Sequence, residues 1–463
     1  MKSLRLLLRF LTIGGLVLLL LIPLLLIRGV IHDRERYREQ AVERVSQSMA
    51  GPQQIIGPLR VVPWKEVRRV SSIDADGRPQ ARMEVTEGYL RQTPRILRLE
   101  GDITPDTRRI GLYDVRVFEL GAKLKAEFDA LPVPETETPG GAIREYGEPY
   151  LVMGVADVRG LVGTPSLKLD GRPLTLEAGT RALSDRMAGM HAALPPMQEE
   201  LPASRLDIDL ALAGTQSLGI APVADANHVS LRSAWPHPLF GGRFLPNSRT
   251  ISADGFDAEW EISSLASAAQ TQLGEAPRGI LTQRGYDGAA IDSIDVSLVD
   301  PVDVYTQADR ASKYGILFVV LTFVAFALFE LIKRLPIHPL QYLLVGLALA
   351  IFFLLLLSLS EHITFWKAYL ISAAACIGLQ FVYLSGVLRS RWRAAGFATL
   401  LTVLYGVLYG LLVSEDNALL MGSLLLFGIL AAVMWITRKV DWYEMGGKGE
   451  SATSGQANDG ALQ

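Results

Sequence analysis

Apolar residues are distributed along this chain in a way that few folds can accommodate. One long apolar run, Leu4 to Val30, comes first, five more fill the last third, and a polar block over 31–313 separates them. A run of about 20 apolar residues is what a helix needs to cross a bilayer, where every backbone N–H and C=O must be paired within the segment. The layout predicts a polytopic α-helical membrane protein with one large aqueous domain inserted after the first span.

The charge pattern gives this architecture an expected orientation. Lys2, Arg5 and Arg9 precede the first run. Its apolar core, Phe10 to Ile27, is too long for a typical cleaved signal, and Arg28 and His32 to Arg36 after it offer no small-x-small site. The run therefore reads as an uncleaved signal anchor. The later runs are Tyr314–Ile332, Leu340–Leu357, Thr364–Leu384, Ala395–Val413 and Ala418–Thr437. Lys333 and Arg334, then Arg389, Arg391 and Arg393, then Arg438 and Lys439 fall on the N-terminal side of the membrane; Glu361, His362, Glu415 and Asp416 fall on the other. Basic loops mark the cytoplasmic face. This predicts a membrane protein with six spans, both termini cytoplasmic and the polar block extracytoplasmic. The expected division is an anchor over 1–30, an extracytoplasmic domain with helical stalks over 31–313, a five-helix bundle over 314–440 and a low-complexity tail over 441–463.

Composition narrows the classes further. The 463 residues carry a net charge of −3. No stripe of Arg and Lys interleaved with aromatics occurs, which argues against nucleic acid as a partner. The single cysteine, Cys376, lies inside a predicted span. The aqueous domain has no disulfide and must be held by its own core, which its size permits.

Within that domain, Ile31–Met49 has helical spacing (Val42, Val45, Met49) and stops at Gly51-Pro52. The pattern beyond is of short strands: Leu59–Val62, Arg82–Tyr89, Ile96–Leu99, Leu112–Leu120, Tyr150–Val158, Leu206–Leu212, Val229–Trp235, Phe256–Ile262 and Ile291–Val299. Asp170-Gly171 and Asp76-Gly77 sit between such runs as hairpin turns. The fold expected is β-rich, antiparallel and sandwich-like. A helix is expected near Thr180–Ala193, a loop over Ala266–Ala290, and Asp300-Pro301 reads as the capped start of a helix leading into the second span.

Several strings resemble the CreD family of bacterial inner-membrane proteins: Gly51-Pro-Gln-Gln-Ile-Ile-Gly-Pro58, Ser233-Ala-Trp-Pro-His-Pro-Leu-Phe-Gly-Gly242, Val299-Asp-Pro-Val-Asp-Val-Tyr305, His338-Pro-Leu-Gln-Tyr-Leu-Leu-Val-Gly346, Leu357-Ser-Leu-Ser-Glu-His362 and Thr437-Arg-Lys-Val-Asp-Trp-Tyr443. They cover almost the whole chain, in order. The resemblance implies a protein tied to envelope integrity, controlled by a two-component system that answers to envelope or cell-wall stress. It implies no reaction and supplies no catalytic residues.

Two groups of residues stand out as functional candidates. Glu361 and His362, with Glu415 and Asp416, end two hairpins on one side of the membrane, where they could converge to bind a cation, relay protons or contact a headgroup. The plainer reading is solvated helix ends, paired with Arg310, Lys313 or Lys367. Trp235, His237 and Phe240 lie in a loop stiffened by Pro236 and Pro238, which suits recognition of a peptide, glycan or lipid. The plainer reading there is a braced corner with its aromatics in the core. Glu330 reads as paired with Lys333 or Arg334 one turn on, and Gly406-x-x-x-Gly410 as a close-packing motif, within the chain or between copies. Phosphate loops, the His-Glu-x-x-His motif and the Gly-x-Ser-x-Gly elbow do not occur. The chain reads as a non-enzyme, with no cofactor or metal site implied. Its partners would be the lipid bilayer and a periplasmic envelope ligand or protein. The alternative is a transporter or flippase-like protein for an amphiphile, against which the mostly Leu, Ala, Phe and Gly mid-span residues count.

Overall fold

The computed structural model describes residues 2–73, 79–132, 136–138, 142–181, 188–197, 200–275, 291–298, 304–333, 338–388, 390–413 and 418–438. It divides into two compact units, Tyr37–Pro301 and Met1–Arg36 with Val302–Gln463. Helix α1 (Lys2–Ser48) belongs to both.

The first unit is a two-sheet sandwich. One sheet has eight strands in the order Arg172–Pro173, Ser166–Leu169, Ser204–Thr215, Tyr113–Phe128, Ile96–Ile110, Ala226–Ser233, Gly255–Ser263 and Ser248–Ser252. The other is built on the long strand Gln53–Ile73, with Tyr150–Val155 and Gly189–Ala193 to one side and Ser217–Ile220 and Ile294–Ser297 to the other. Alternation in the sequence produces the layer between them. Leu206, Ile208, Leu210 and Leu212 are buried while Arg205 and Asp209 are exposed, because successive strand side chains point to opposite faces. The same core holds Leu151, Met153, Val155, Ile294 and Val296 from the second sheet.

Most strand pairs are antiparallel, as expected, but two are parallel: Gln53–Ile55 beside Leu218–Ile220, and Ala226–Ser233 beside Ile96–Ile103. Parallel neighbours require a long crossover, which local patterns do not reveal. The Asp170-Gly171 turn is a hairpin with both residues at positive φ, 50° and 78°, the type I′ geometry that Asp-Gly favours. The Asp76-Gly77 turn lies outside the described residues, but its flanking strands pair up to Ile73 and Pro79.

Two expectations are corrected. Gly189–Ala193 is a strand, not the end of a helix. It pairs with Tyr150–Gly154, and Gly189, at φ 156°, leaves no room for a Cβ, which would lie 2.2 Å from the Met153 carbonyl oxygen. A long-range pairing there overrides local propensity. Within the expected loop over 266–290, Ala269–Glu275 forms helix α2, with Ala269 and Leu273 buried.

The Gly51–Pro58 string is where α1 hands over to the sheet. The side chain of Gln53, 2% exposed, donates to the carbonyls of Asp157 (3.0 Å) and Ala213 (2.9 Å) and accepts from the Asp157 N–H (3.2 Å). Thr215 Oγ1 donates to the Ala50 carbonyl at 2.6 Å. Arg159 donates to the carbonyls of Ser46 and Gln47, closing the C-terminal end of α1 with the sign its dipole favours.

The second unit is helical: α1, then α3 (Val304–Lys333), α4 (Pro339–Ser360), α5 (Phe365–Val387), α6 (Arg391–Val413) and α7 (Ala418–Thr437). Among the described residues α1 and α3 to α6 are long and apolar enough to cross a membrane, and α7 carries a shorter apolar stretch, Leu420–Trp435. His338 caps α4, accepting from the Leu340 N–H at 3.3 Å, while Gln341 answers from the first turn. Gly346 sets the contact of α4 with α1 and α3: a Cβ there would lie 2.1 Å from Leu20 Cδ1 and 3.0 Å from Phe323 Cζ. The Gly406–Gly410 pair behaves otherwise. A Cβ at Gly406 would meet nothing within 4 Å, and one at Gly410 would meet only Met421 Cε, at 3.4 Å. The inward face of α6 is instead Phe397, Leu401, Tyr405 and Leu408. The cap expected at Asp300-Pro301 and the Glu330 pair lie outside the described residues and side chains.

Candidate functional site

Charges concentrate in the helical unit where α1, α3 and the end of α4 meet. Arg28 and Arg34 on α1 are separated by six positions, Asp309 and Tyr305 on α3 by four. At 1.5 Å per residue each pair is stepped by one to two turns, so the antiparallel helices match them in two levels. At the first, Asp309 receives Arg28 Nε at 3.5 Å and Lys313 Nζ at 2.7 Å. At the second, Glu361 Oε1 lies 3.4 Å from Arg34 Nε and accepts from the Tyr305 hydroxyl at 3.5 Å. The Glu361 side chain is only 7% exposed. A carboxylate so enclosed keeps its charge at tolerable cost only when a cation and a donor face it.

Of the four residues singled out at the hairpin tips, then, Glu361 is enclosed in an ion pair joining three helices and His362 is exposed beside it. Glu415 and Asp416 lie outside the described residues. The partner of Glu361 is Arg34 rather than Arg310, Lys313 or Lys367. Lys313 is held by Asp309, and Lys367 lies over the Trp366 ring at 5.5 Å. The Asp309–Lys313 pair was legible as an i,i+4 spacing. The Arg34–Glu361 pair joins residues 327 positions apart and left no local signal. Among the described residues no three of His, Cys, Asp and Glu group as a metal site.

The Trp235–Phe240 loop divides its aromatics. Trp235 is 8% exposed, its indole N–H donates to the His237 carbonyl at 2.8 Å, and Arg116 stacks on its ring at 4.1 Å. Phe240 packs edge-on against Phe256 and Trp260, at 5.6 and 5.7 Å. Of the three, only His237 faces outward.

Sequence patterns missed a second outward feature of the sandwich. Beyond Pro63 the long strand continues between Pro79–Gln92 and Ala142–Tyr146 as a three-stranded blade. Val67 is directly opposite both Val85 and Ile143, and Arg69 opposite Met83. Val85, Ile143 and Met83 are 50%, 58% and 60% exposed. Lys65 faces Glu87 and Glu145 at the next position on the same face. The other face is closed by Arg144, which stacks on Trp64 at 4.3 Å and bonds Glu66 at 2.7 Å; hydrogen bonding to Glu66, then to Tyr146, raises the guanidinium above its ordinary range.

Buried polar groups elsewhere in the sandwich are structural. Arg60, 2% exposed, donates to the carbonyls of Asp129 (3.3 Å) and Pro202 (2.9 Å), and to Gln92 and Ser204. Burial lowers its pKa to about 10, with Asp170 opposing the shift. Burial works against the charge of the Asp157 carboxylate as well, but hydrogen bonds from Arg159 and the Gly51 N–H outweigh it and hold the group below its usual value.

Comparison with known proteins agrees with the architecture. The family model for "Inner membrane protein CreD" matches residues 5–443. The Inner membrane protein CreD of Escherichia coli (strain K12) is 36% identical over 429 residues, covering 93% of this chain and 92% of that protein. Among solved structures, an M1 zinc metallopeptidase from Deinococcus radiodurans aligns over 36% of this chain and 38% of its own length, at 10% identity and a TM-score of 0.20. The chain thus spans well under half of that enzyme, and so slight a likeness carries no argument. A match over nearly all its length, on a β-rich module joined to apolar helices, places this chain in the CreD family of inner-membrane proteins.

Proposed function

We propose that this multi-pass inner-membrane protein maintains cell-envelope integrity under stress, without catalysing a reaction, by binding a protein partner through its sandwich unit on the periplasmic side. The observation that supports this reading most is the blade. Its row of Ile143, Val67 and Val85, with Met83 alongside, is an apolar strip bordered by Lys65, Glu87, Glu145 and Arg69. An apolar centre with a rim of both charge signs is the anatomy of a protein interface. The family membership and the charge pattern of the loops support the envelope setting and the orientation. The Arg34–Glu361 pair would then hold the helices against which such binding is anchored.

The test is a chain carrying a photo-crosslinking residue in place of Val85, expressed in a deletion strain under detergent or cell-wall stress. A discrete crosslinked protein, lost when Val67 and Ile143 are both changed to Ser, is expected. A crosslink to lipid or glycan alone, or full rescue of the strain by the Val67→Ser, Val85→Ser, Ile143→Ser chain, would overturn the reading.

A further inference from the structure

The interior of the helical unit is less apolar than its sequence suggests. Ser372, Cys376 and Gln380 recur every four residues on α5, so they share one face over about 12 Å of helix. All three are buried, at 0%, 3% and 2% exposure. Thr322 on α3 (1%) and Tyr405 on α6 (2%) also face inward. Ring contacts set their levels. Phe318 and Phe352 both meet Tyr405, at 6.1 and 4.7 Å, and Phe326 meets Tyr342 and Phe397, at 4.8 and 5.2 Å. Thr322 is one turn from both Phe318 and Phe326, hence between these two aromatic layers. On α5, Tyr369 donates to the Tyr405 carbonyl at 2.6 Å, and Cys376 Sγ reaches the Ala348 carbonyl at 3.5 Å. The face of α5 that carries Ser372, Cys376 and Gln380 therefore lines the same interior.

The hydrogen-bonding state of these groups is unusual for a spanning helix. Hydroxyls in such helices normally bond back to their own preceding turn. Ser312, Ser360, Thr399 and Thr402 do so here, at 2.8 to 3.0 Å. Ser372 Oγ and Thr322 Oγ1 do not. With Tyr405 OH and both polar atoms of Gln380, they find no hydrogen-bond partner among the described residues. Left dry in hydrocarbon, each such group costs on the order of 1–3 kcal/mol, and interiors rarely tolerate several together.

We propose that these side chains form a lane inside the bundle for water and other small uncharged hydrogen-bonding molecules. The donor and acceptor set explains the class. Ser, Thr, Tyr and Gln offer both donors and acceptors, and the residues that line the lane with them, Phe318, Ala348, Phe352 and Tyr369, carry no charge. An ion would meet no counter-charge among these residues. A neutral hydroxyl compound or water can satisfy every group.

Cys376, the one cysteine of the chain, reports on the lane directly, because its thiol lies between Ser372 and Gln380. The full-length protein in lipid nanodiscs would be moved into D2O and its S–H stretching band followed by infrared spectroscopy. Conversion to S–D within minutes is expected, slowed at least about tenfold in Gln380→Leu and in Thr322→Val, the effect of losing about one hydrogen bond's worth of stabilisation. A thiol that stays protonated for hours in the unaltered protein would overturn the proposal. A second readout is thermal unfolding of Thr322→Val, which keeps the shape of the side chain. If the melting temperature rises, the hydroxyl was an unmet penalty in a dry core and the lane is disproved; an unchanged or lower value is expected. Unaltered exchange in folded Gln380→Leu would equally remove that residue, and the lane, from consideration.

Discussion

Arg34 Nε lies 3.4 Å from Glu361 Oε1, so a residue in the last third of α1 is tied to the residue that ends α4. The carboxylate is enclosed and the guanidinium is 39% exposed, which makes the two ends of the pair unequal. Removing the cation leaves Tyr305 alone among the described partners of the charge, whereas Glu361→Gln leaves an amide that Tyr305 still reaches and an arginine that water still hydrates. Arg34→Met is therefore expected to destabilise by about 2–3 kcal/mol and Glu361→Gln by about 1 kcal/mol. The exchange Arg34→Glu with Glu361→Arg is expected to recover most of the loss. Thermal unfolding in nanodiscs measures all three, and equal losses for the two single variants would show that the pair is not what holds these helices.

Gln53 makes three hydrogen bonds at 2% exposure, and a Cβ at Gly160 would sit 2.3 Å from its Nε2. Nothing but a planar amide of this length fits between the Asp157 and Ala213 backbones. Gln53→Leu takes a donor from the Asp157 and Ala213 carbonyls and leaves the Asp157 N–H without the acceptor it has inside the sandwich, and is expected to cost about 2–3 kcal/mol. Gln53→Glu, which keeps the shape but replaces the donor with a buried charge, is expected to cost at least as much. Hydrogen exchange of residues 50–56 gives the measurement; protection equal to that of the unaltered chain would contradict the assignment.

These two relationships also show what a sequence discloses. The apolar runs, the strand alternation at Leu206–Leu212 and the Asp170-Gly171 hairpin are local, set by length, period and the φ a residue tolerates, and they were legible. Ring-stiffened loops and polar tips marked places worth attention, so Glu361, Trp235 and Phe240 could be found. Their partners could not. Arg34 meets Glu361, Arg116 covers Trp235, and Val67 aligns with Val85 and Ile143, each through contacts fixed only when distant segments pair. Gly189–Ala193 reads locally as helix for the same reason: its Ala and Met content suits a helix, and pairing with the edge of Tyr150–Gly154 makes it a strand. The buried polar face of α5 was within reach, since Ser372, Cys376 and Gln380 are spaced by four, but an apolar average over the span hides it.

The Trp235 loop separates packing from surface within three residues. Trp235→Ala removes a ring that is 92% covered, stacked by Arg116 and bonded to the His237 carbonyl. It is expected to cost about 3–5 kcal/mol. His237→Ala keeps that carbonyl and alters an outward side chain, so it is expected to change stability by less than about 0.5 kcal/mol. Chemical denaturation of the two variants distinguishes them. Similar losses would mean that the imidazole braces the corner as much as the indole does.

Asp157 gives the protein an acid-sensitive point at the end of α1. Its carboxylate accepts from Arg159 and from the Gly51 N–H, and these bonds hold its pKa below the ordinary 3.8 despite burial. A carboxyl depressed on folding stabilises the native state at every pH above its unfolded value. That contribution fades as pH falls through the depressed folded value, because the unfolded chain binds the proton more readily. The junction between α1 and the sheet is therefore expected to be intact at neutral pH and to loosen below about pH 4. Arg159 would then lose the partner that aims it at the Ser46 and Gln47 carbonyls. In Asp157→Asn the charge is absent throughout, so exchange of the amides at residues 46–51 is expected to be faster than in the unaltered chain at pH 7. The two should converge as pH falls through the depressed folded value. Equal protection at pH 7, or a gap that widens on acidification, would show that Asp157 does not secure this end of the helix.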